Sequence, residues 1–318
     1  MIGDLKIFSG NANRPLAAAI AKKAGVELGE IDIMKFSNEN IKIAYKDSVR
    51  GKDVFIIQPS CVPVNDGLME LLIMIHAARH ASASRITAVT PYYPYVRSDK
   101  KDEKRISITA KLVADLLEAA GADRVMTMNL HSPQIQGFFN IPCDHLLAGK
   151  ILCDACSKIN NGDLTDGVVI APDAGSAKHA GHYAKRLGLP LAILDKRRND
   201  HSETAKMDNI IGDVKGKKAF IFDDEVASGG SLIEAASMLE KNGVKDIQAY
   251  CVHGVLSGNA KKRIEDSPIK KLVITDTVFV PEEKKYENLE IVSVADLFAS
   301  AIMYTNKDCS ISGLYDEF

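Results

Sequence analysis

The sequence has almost no excess charge of either sign. Its 40 lysine and arginine residues nearly balance its 42 aspartate and glutamate residues, which leaves a formal net charge of -2. Such a balance argues against a broad nucleic-acid footprint and against a surface that binds anionic membranes. Any phosphate chemistry must therefore come from local arrangements of side chains and backbone amides.

Long apolar segments are also missing. No run approaches the roughly 18 apolar residues that a membrane-spanning helix needs. The first ten residues, MIGDLKIFSG, lack the basic stretch and the long apolar core of a signal peptide. We expect a soluble cytoplasmic protein with neither a membrane nor a nucleic acid as its partner.

Cysteine is sparse and scattered. Among the six cysteines the only close pair is Cys153 and Cys156, and no second pair or histidine set accompanies it to complete a tetrahedral zinc site. We interpret the pair as packing residues on a helix, with a redox role as the second reading.

The chain alternates between strand-like and helix-like hydrophobic patterns, which predicts an α/β fold with mainly parallel sheets. The predicted strands are Leu5–Ser9, Val54–Ile57, Ile86–Thr90, Val125–Met128, Val168–Ala171, Leu191–Leu194, Ala219–Phe222, Ile247–Val252, Leu272–Thr275 and Glu290–Ser293. The predicted helices include Gly67–His80, Ser107–Ala120, Ala177–Leu187 and Ser231–Asn242.

A length of 318 residues exceeds the usual size of one hydrophobic core and predicts two domains. A weak internal repeat supports two similar halves, because the segments from Gly51 and from Gly216 each read as a glycine turn, an apolar strand, a loop and a helix. We place the junction near Ala148, after a predicted turn at 142–147. The domains are then 1–147 and 148–293, and a C-terminal helix, 294–318, returns to the first domain.

The most informative segment is Ala219–Ser231, AFIFDDEVASGGS. A buried strand ends in Asp223 and Asp224, so the loop that follows lies at the carboxyl edge of a parallel sheet, where α/β proteins bind ligands. The small residues 228–231 offer backbone amides at a helix N-terminus, which suits a phosphate dianion. Two adjacent carboxylates make sense if each accepts a hydrogen bond from a vicinal diol. The alternative is an acidic turn with a helix cap.

A second small-residue turn opens a helix in Val168–His179, VVIAPDAGSAKH. It presents backbone amides, the Asp173 carboxylate and the Lys178 cation, the set needed to hold a magnesium-bound diphosphate. A plain glycine turn is an equally good reading of this segment alone. Further on, Lys196, Arg197 and Arg198 precede a polar stretch, which suits a mobile loop that stabilises charge on a transferring phosphoryl group. An exposed basic turn is the ordinary alternative.

The segment Ala219–Ser231 resembles the ribose-phosphate loop shared by type I phosphoribosyltransferases and ribose-phosphate diphosphokinases. The resemblance implies two domains of the type I phosphoribosyltransferase kind, each a mainly parallel sheet flanked by helices. It assigns the ribose hydroxyls to Asp223 and Asp224. It assigns binding of the 5-phosphate to Ser228, Gly229, Gly230 and Ser231.

The same resemblance covers the other two loops. It makes Val168–His179 the diphosphate loop and gives Lys196 and Arg198 the role of neutralising the β-phosphoryl group. The residues of the diphosphate loop are Asp173, Ala174, Gly175, Ser176 and Lys178.

Two segments of the first half resemble long signatures of the diphosphokinases that the transferases lack. They are TPYYPYVRSDKKDEKR, in which three tyrosines precede a charged run, and MNLHSPQIQGFF. The resemblance places Arg97 and Asp102 in the ATP site and has His131 contact the metal or the phosphates. In FSNENI it has Phe36 stack on adenine and has Asn38 and Asn40 read the base edge.

The likeness extends to segments that bind activating phosphate and inhibitory ADP in the family. The matching positions are Ser48, Arg50, Arg105 and Ser310. The resemblance further implies Mg²⁺ as cofactor, with His131 and Asp173 as its side-chain ligands. It also implies a homo-oligomer, a hexamer built from dimers whose interface completes the ATP site.

The implied activity is ribose-phosphate diphosphokinase, a step of nucleotide biosynthesis that converts ATP and ribose 5-phosphate to AMP and 5-phosphoribosyl 1-diphosphate. Two departures from the family pattern keep alternatives open. Asn38 and Asn40 stand where the family commonly has Asp and Glu, and Ala227 stands where it has a further aspartate near the ribose. The alternatives are a catalytically weak regulatory subunit and a type I phosphoribosyltransferase.

Overall fold

A computed structural model describes residues 3–196 and 207–314. Its first part alternates strands with helices as the sequence pattern predicts. The elements in chain order are β1 (Leu5–Ser9), α1 (Arg14–Lys23), β2 (Ile31–Lys35), β3 (Ile41–Tyr45), β4 (Asp53–Ile57), α2 (Val64–His80), β5 (Arg85–Thr90), α3 (Thr109–Ala120), β6 (Arg124–Met128), a 3₁₀ helix (Pro133–Phe138) and β7 (Cys143–Leu146).

The second part repeats the alternation and ends on helices. Its elements are α4 (Gly149–Ile159), β8 (Gly167–Ala171), α5 (Ala177–Leu187), β9 (Leu191–Lys196), β10 (Met207–Ile211), β11 (Lys218–Val226), α6 (Gly230–Lys241), β12 (Asp246–Gly254), α7 (Ala260–Glu265), β13 (Lys271–Thr275), a 3₁₀ helix (Glu282–Lys284), β14 (Leu289–Val292), α8 (Ala295–Asn306) and a 3₁₀ helix (Ser312–Leu314).

The chain divides into two compact units. Unit 1 contains the chain up to Leu147 together with Thr277–Phe279 and the C-terminal segment from Ser293. Unit 2 contains Ala148–Asp276 and Val280–Val292. Of the helices in the described parts of the chain, none combines the length and the apolar character that a membrane crossing requires.

Unit 1 is built on a parallel sheet with strand order β1-β4-β5-β6-β7. All five residues of β4 are buried, as expected for a strand covered on both faces. The strands β2 and β3 form a separate antiparallel hairpin, whose apolar side chains Ile31, Ile33, Ile43 and Tyr45 pack on the unit 1 core. The returning helix α8 packs against α1, within this unit.

Unit 2 is built on a sheet with strand order β10-β9-β8-β11-β12-β13-β14. Every pairing is parallel except that of β10 with β9. The expectation of mainly parallel sheets is therefore confirmed, and the antiparallel pairs β2–β3 and β9–β10 are additions to it.

Residues 142–147, predicted as a turn, contain the edge strand β7, so that prediction is wrong. The hydrophobicity pattern does not reveal this strand because two of its residues, Asp144 and His145, are polar. Asp144 is buried because it accepts two hydrogen bonds from Nη1 of Arg124 on β6, at 2.9 and 2.8 Å. His145 is buried because its Nε2 accepts a hydrogen bond from the backbone N–H of Leu130, at 2.8 Å. A polar strand can be buried where neighbours satisfy its polar atoms.

Candidate active site

Two loops of unit 2 lie side by side at one edge of the sheet. The parallel strands β9, β8 and β11 are neighbours, so the loops that follow β8 and β11 lie together, beside the carboxyl end of β9. These loops carry the predicted diphosphate residues after β8 and the predicted ribose-phosphate residues after β11. Lys196 is the last residue of β9 at the same edge. Its side chain and Arg198 lie outside the described part of the chain.

The paired acids lie at the end of β11. Asp223 and Asp224 are half-buried, and the Asp223 carboxylate accepts a hydrogen bond from the backbone N–H of Asp224, at 2.8 Å. Burial, and next the negative charge of Asp224, raise the pKa of Asp223 to about 7. The two carboxylates therefore repel each other in the free protein, and donors such as sugar hydroxyls would relieve that repulsion.

An aromatic stack supports the strand beneath the acids. The ring of Tyr183 on α5 lies parallel to that of Phe222, with ring centroids 4.2 Å apart, and Phe222 stacks in turn on Tyr250 at 5.1 Å. Phe222 directly precedes Asp223, so these contacts fix the end of β11. The backbone that carries both carboxylates is thereby held before any ligand binds.

The loop after the acids turns directly into helix α6. Gly229 has φ +75°, a conformation that favours glycine, and an added Cβ would press against Cγ1 of Ile264 at 3.2 Å. Gly230 is the first residue of α6, and Ser228 and Ser231 are exposed on either side. The predicted phosphate-binding residues thus surround a helix N-terminus, where backbone amides suit an anion.

Arg263 supports this loop and was not predicted from the sequence. Its Nη1 donates a hydrogen bond to the backbone carbonyl of Ser228, at 3.1 Å. Arg263 lies on α7, far along the chain from the loop, and it has no motif of its own. Only the fold, which brings α7 next to the start of α6, shows the connection.

The diphosphate loop is closed by its own side chains. Asp173 accepts a hydrogen bond from the backbone N–H of Ser176 at 2.7 Å, and the Ser176 hydroxyl donates to the Asp173 carbonyl at 2.8 Å. Asp173, Ala174 and Gly175 are exposed, and Lys178 is exposed in the first turn of α5. Among the described residues no cluster of three or more His, Cys, Asp or Glu side chains forms a metal cage. Mg²⁺ commonly needs only one or two carboxylates when phosphates supply further ligands, so Asp173 fits that role.

In unit 1 the predicted ATP residues follow neighbouring strands. The segment with Arg97 and Asp102 follows β5, and His131 follows β6, so these exposed residues share one sheet edge. The turn of the β2–β3 hairpin holds Phe36, Asn38 and Asn40, all exposed. Asn38 Oδ1 accepts from the backbone N–H of Asn40, at 3.2 Å, which shapes the turn.

Tyr93, in the tyrosine-rich segment that precedes Arg97, is a core residue. It is buried in the core, its hydroxyl donates to the carbonyl of Ala110 at 3.1 Å, and its ring meets Phe139 edge-on at 5.7 Å. Tyr95 is exposed and hydrogen-bonds Asn65. The buried tyrosine therefore stabilises the loop rather than offering a surface to a ligand.

The four predicted effector residues do not lie together within one chain. Ser48 and Arg50 precede β4, at the amino edge of the unit 1 sheet, and Ser310 follows α8. Arg105 lies in the loop after β5, at the opposite edge of the sheet. All four side chains are exposed.

The cysteine pair on α4 behaves as a packing pair. Cys153 and Cys156 are buried free thiols, and burial raises the pKa of Cys156 to about 11. Thiolate is therefore scarce near neutral pH, which argues against redox chemistry there. The interpretation of these residues as core residues is confirmed.

Comparisons with known proteins agree with this geometry. Residues 5–121 match the family model described as the N-terminal domain of ribose phosphate pyrophosphokinase, and residues 144–287 match the phosphoribosyl transferase domain. The ribose-phosphate pyrophosphokinase of Caldanaerobacter subterraneus subsp. tengcongensis is 52% identical over 98% of this chain and 98% of its own. That of Clostridium acetobutylicum is 48% identical over 99% and 98%. The chain belongs to the ribose-phosphate pyrophosphokinase family.

A solved structure supports the same assignment at the level of the fold. The phosphoribosylpyrophosphate synthetase of Mycobacterium smegmatis superimposes with a TM-score of 0.90 at 38% identity, covering 96% of this chain and 99% of that one. The predicted family, fold class and enzyme class are therefore confirmed. The roles of individual residues stay predictions.

Proposed function

We propose that the protein transfers the terminal diphosphate of Mg-ATP to the C1 hydroxyl of ribose 5-phosphate, forming AMP and 5-phosphoribosyl 1-diphosphate. The observation that carries this proposal is the β11–α6 connection. It sets two half-buried carboxylates directly before an open helix N-terminus, in a member of the ribose-phosphate pyrophosphokinase family.

Pentose binding is assigned to unit 2. Asp223 and Asp224 accept hydrogen bonds from the ribose hydroxyls, and the amides of residues 228–231 bind the 5-phosphate. The raised pKa of Asp223, about 7, supports this role, because hydroxyl donors replace the water that burial has removed. The phosphate gains from the helix dipole of α6 and from the absence of acidic residues in its first turn.

Nucleotide binding is assigned to unit 1. Phe36, Asn38 and Asn40 contact adenine, while Arg97 and Asp102 bind along the nucleotide and His131 binds at the phosphates. Their exposure on the hairpin turn and at the carboxyl edge of the β5–β6 pair supports these roles. An amide at each of positions 38 and 40 can both donate and accept, which favours a broader choice of base than two carboxylates would give.

The proposed reaction is a direct in-line attack of the anomeric hydroxyl on the β-phosphorus, with AMP as leaving group and no covalent enzyme intermediate. Such transfers depend on positioning and on charge stabilisation. Lys196 and Arg198 neutralise the β-phosphoryl group, and Asp173 with Lys178 hold the diphosphate. When bound, Mg²⁺ would be held by Asp173 and His131 and would neutralise negative charge on the phosphates.

Assembly and regulation belong to the same proposal. A homo-oligomer, a hexamer built from dimers, would complete the ATP site and bring Arg105 of one copy to Ser48, Arg50 and Ser310 of another. The position of Arg105 at the opposite sheet edge supports an effector site, for phosphate and ADP, that needs two copies. A cytoplasmic location fits these soluble substrates.

One assay tests the activity. Purified protein is incubated with Mg-ATP and ribose 5-phosphate, and AMP and 5-phosphoribosyl 1-diphosphate are measured. Equal amounts of both products are expected. Ribose 5-phosphate binding without AMP would favour a regulatory subunit. Pyrophosphate release from 5-phosphoribosyl 1-diphosphate and a base, with no AMP from ATP, would favour a phosphoribosyltransferase.

A further inference from the structure

Buried His145 lies beneath the loop that carries His131. It belongs to β7, the edge strand of the unit 1 sheet, and is 9% exposed. Its Nε2 accepts a hydrogen bond from the backbone N–H of Leu130, at 2.8 Å, and Leu130 directly precedes His131. The buried His145, which belongs to no sequence motif, therefore holds Leu130, the residue next to the proposed catalytic His131.

The loop needs such an anchor because of its backbone. β6 ends at Met128, and Asn129 follows with φ +37°, a positive value that residues other than glycine rarely adopt. The Asn129 N–H donates to the carbonyl of Leu146 at 3.0 Å, one residue beyond His145. Two consecutive amides of the loop are thus held by two consecutive residues of β7.

The second ring nitrogen faces the far side of the same loop. Nδ1 of His145 lies 3.3 Å from Nε2 of Gln136, and that amide nitrogen donates a hydrogen bond to the carbonyl of Pro133 at 2.9 Å. The imidazole therefore contacts the loop on both sides of His131. Because Leu130 is itself buried at 3% exposure, its amide has little access to water if the acceptor is lost.

We propose that His145 is a positioning residue that fixes His131 for phosphoryl transfer through the hydrogen bond from Leu130. This inference rests on the proposed function, in which His131 contacts the phosphates. His145 touches no substrate. It fixes the backbone position from which the exposed His131 side chain projects. Small displacements of a positioned catalytic group lower the reaction rate strongly.

A matched pair of variants separates positioning from packing. His145→Phe keeps a planar ring and removes the acceptor, while His145→Gln places an amide oxygen within reach of the Leu130 N–H. We expect His145→Phe to lower kcat about 10- to 100-fold. The KM for ribose 5-phosphate should stay within about twofold, because the pentose is assigned to unit 2. His145→Gln should recover kcat to within about threefold of the wild type.

Amide hydrogen exchange gives a readout that does not depend on activity. The Leu130 amide should exchange faster in His145→Phe and remain protected in His145→Gln, with unchanged protection in the strands of unit 2. Equal protection of Leu130 in both variants and in the wild type would overturn the proposal. If His145→Phe does not fold, the same comparison is made with His145→Asn, whose shorter side chain withdraws the acceptor.

A double-mutant cycle decides whether His145 acts through His131. The kcat of His131→Ala should be unchanged when His145→Phe is added, because there is no imidazole left to misplace. Additive losses would overturn the proposal while leaving the proposed function intact. A wild-type protein that forms no AMP from ATP and ribose 5-phosphate would refute both.

Discussion

The two units use one sheet design for different purposes. The order β1-β4-β5-β6-β7 in unit 1 corresponds to β8-β11-β12-β13-β14 in unit 2, and each pair is parallel. The registers also correspond, since Leu5 pairs with Asp53 as Gly167 pairs with Lys218. Repeated order and register indicate two copies of one fold, so their functional differences must lie in the loops.

The loop after the second strand shows the difference most clearly. In the repeat that pairs Gly51 with Gly216, Asp223 takes the place of Gln58. Gln58 is buried, and both polar atoms of its side-chain amide are hydrogen-bonded. Its Oε1 accepts from the Ala12 N–H at 3.0 Å, and its Nε2 donates to Glu70 Oε1 at 2.7 Å. Unit 1 thus ties its polar groups to one another at this position, whereas unit 2 places two adjacent carboxylates there that repel each other.

The connection before that strand differs as well. In unit 2 the strands β9 and β10 extend the sheet beside β8, whereas in unit 1 the corresponding β2 and β3 leave it as a hairpin. Tyr45 holds the hairpin, with its ring edge-on to Phe8 at 4.6 Å and its hydroxyl donating to Met74 O at 2.9 Å. The detached hairpin carries Phe36 away from the sheet, where the nucleotide contact is proposed.

The largest expected effect concerns the cation at the end of β9. Replacing Lys196 by alanine should lower kcat by about 10³-fold or more, because a charge that stabilises the transferring phosphoryl group is lost. Ribose 5-phosphate affinity, measured by calorimetry, should stay nearly unchanged. Exposed Lys215→Ala is the matched control. Equal losses of kcat and affinity would mean that the role of Lys196 is wrongly assigned.

The next largest effect concerns a buried ion pair at the start of β4 and β5, the second and third strands of the unit 1 sheet. The described part of unit 2 has no buried ion pair at the corresponding position. Arg85 binds Asp53 through Nε and Nη2, at 2.9 and 2.6 Å, and Asp53 is fully buried. Asp53→Asn should lower the free energy of unfolding of unit 1 by about 3–5 kcal/mol, because a largely buried guanidinium loses its carboxylate. Denaturant unfolding, read with hydrogen exchange in each unit, measures it.

The control for this substitution lies in the other unit. Lys218 occupies the position of Asp53 and pairs in register with Asp246. Lys218→Met should change stability by less than about 1 kcal/mol, because Lys218 is only half-buried and ordinary surface substitutions have small effects. Equal losses for both variants would remove the proposed contrast between the units.

The third effect is the pH dependence that Asp223 confers on unit 2. With a pKa of about 7 instead of 3.8, Asp223 is more protonated in the folded than in the unfolded state, so it lowers stability as pH rises from about 4 through about 7. Ribose 5-phosphate affinity should rise over pH 6 to 8 as the accepting carboxylate forms. Asp223→Asn should weaken binding at pH 8 by about 10- to 100-fold, the loss of a hydrogen bond to a charged group.

The Asp223→Asn protein is also the reference for the ligand's own titration. The phosphate of ribose 5-phosphate changes charge near pH 6 in both proteins, so the difference between their affinity profiles isolates Asp223. Calorimetric titrations at several pH values give both profiles. Parallel profiles would show that Asp223 does not contact the sugar.

The smallest effect concerns the exposed ion pair of the detached hairpin. Lys35 Nζ lies 2.7 Å from Asp66 Oδ2, with side chains 44% and 46% exposed. Asp66→Asn should lower the free energy of unfolding by less than about 1 kcal/mol, because such pairs are screened by water and salt. Thermal unfolding checks this, and Tyr45→Phe, which removes the bond to Met74, should cost more. The reverse order would mean that the ion pair, not Tyr45, holds the hairpin.

Sequence patterns predicted the parts of the molecule that depend on local chemistry. The apolar runs located the central strands, and the diacid with its small-residue turn located the carboxyl-edge loop after β11, because glycine and paired acids are rarely placed together by chance. β7 was misassigned because its burial depends on Arg124 and on the Leu130 amide, distant in sequence. Alternation in Ile31–Lys35 and Ile41–Tyr45 could have indicated the hairpin, since Ile31 and Ile33 flank a polar Asp32 as Ile41 and Ile43 flank a polar Lys42.

Other features depend on contacts that no local pattern encodes. Arg263 reaches the Ser228 carbonyl only because α7 packs near the start of α6, and Tyr93 is buried because α3 supplies an acceptor. The raised pKa of Asp223 depends first on burial, which only the fold provides, and next on the negative charge of Asp224. The fold is therefore needed to tell which residues of a motif can face a ligand and which belong to the core.

The return of α8 to unit 1 sets an order of events during synthesis. Asn306 donates to the Asp53 carboxylate at 2.9 Å, and the Thr305 carbonyl accepts from Arg85 at 2.8 Å. These α8 residues leave the ribosome only after all of unit 2 has been made. Unit 2 can therefore fold first, while the Asp53–Arg85 ion pair of unit 1 lacks its hydrogen bonds to α8 until the end of translation.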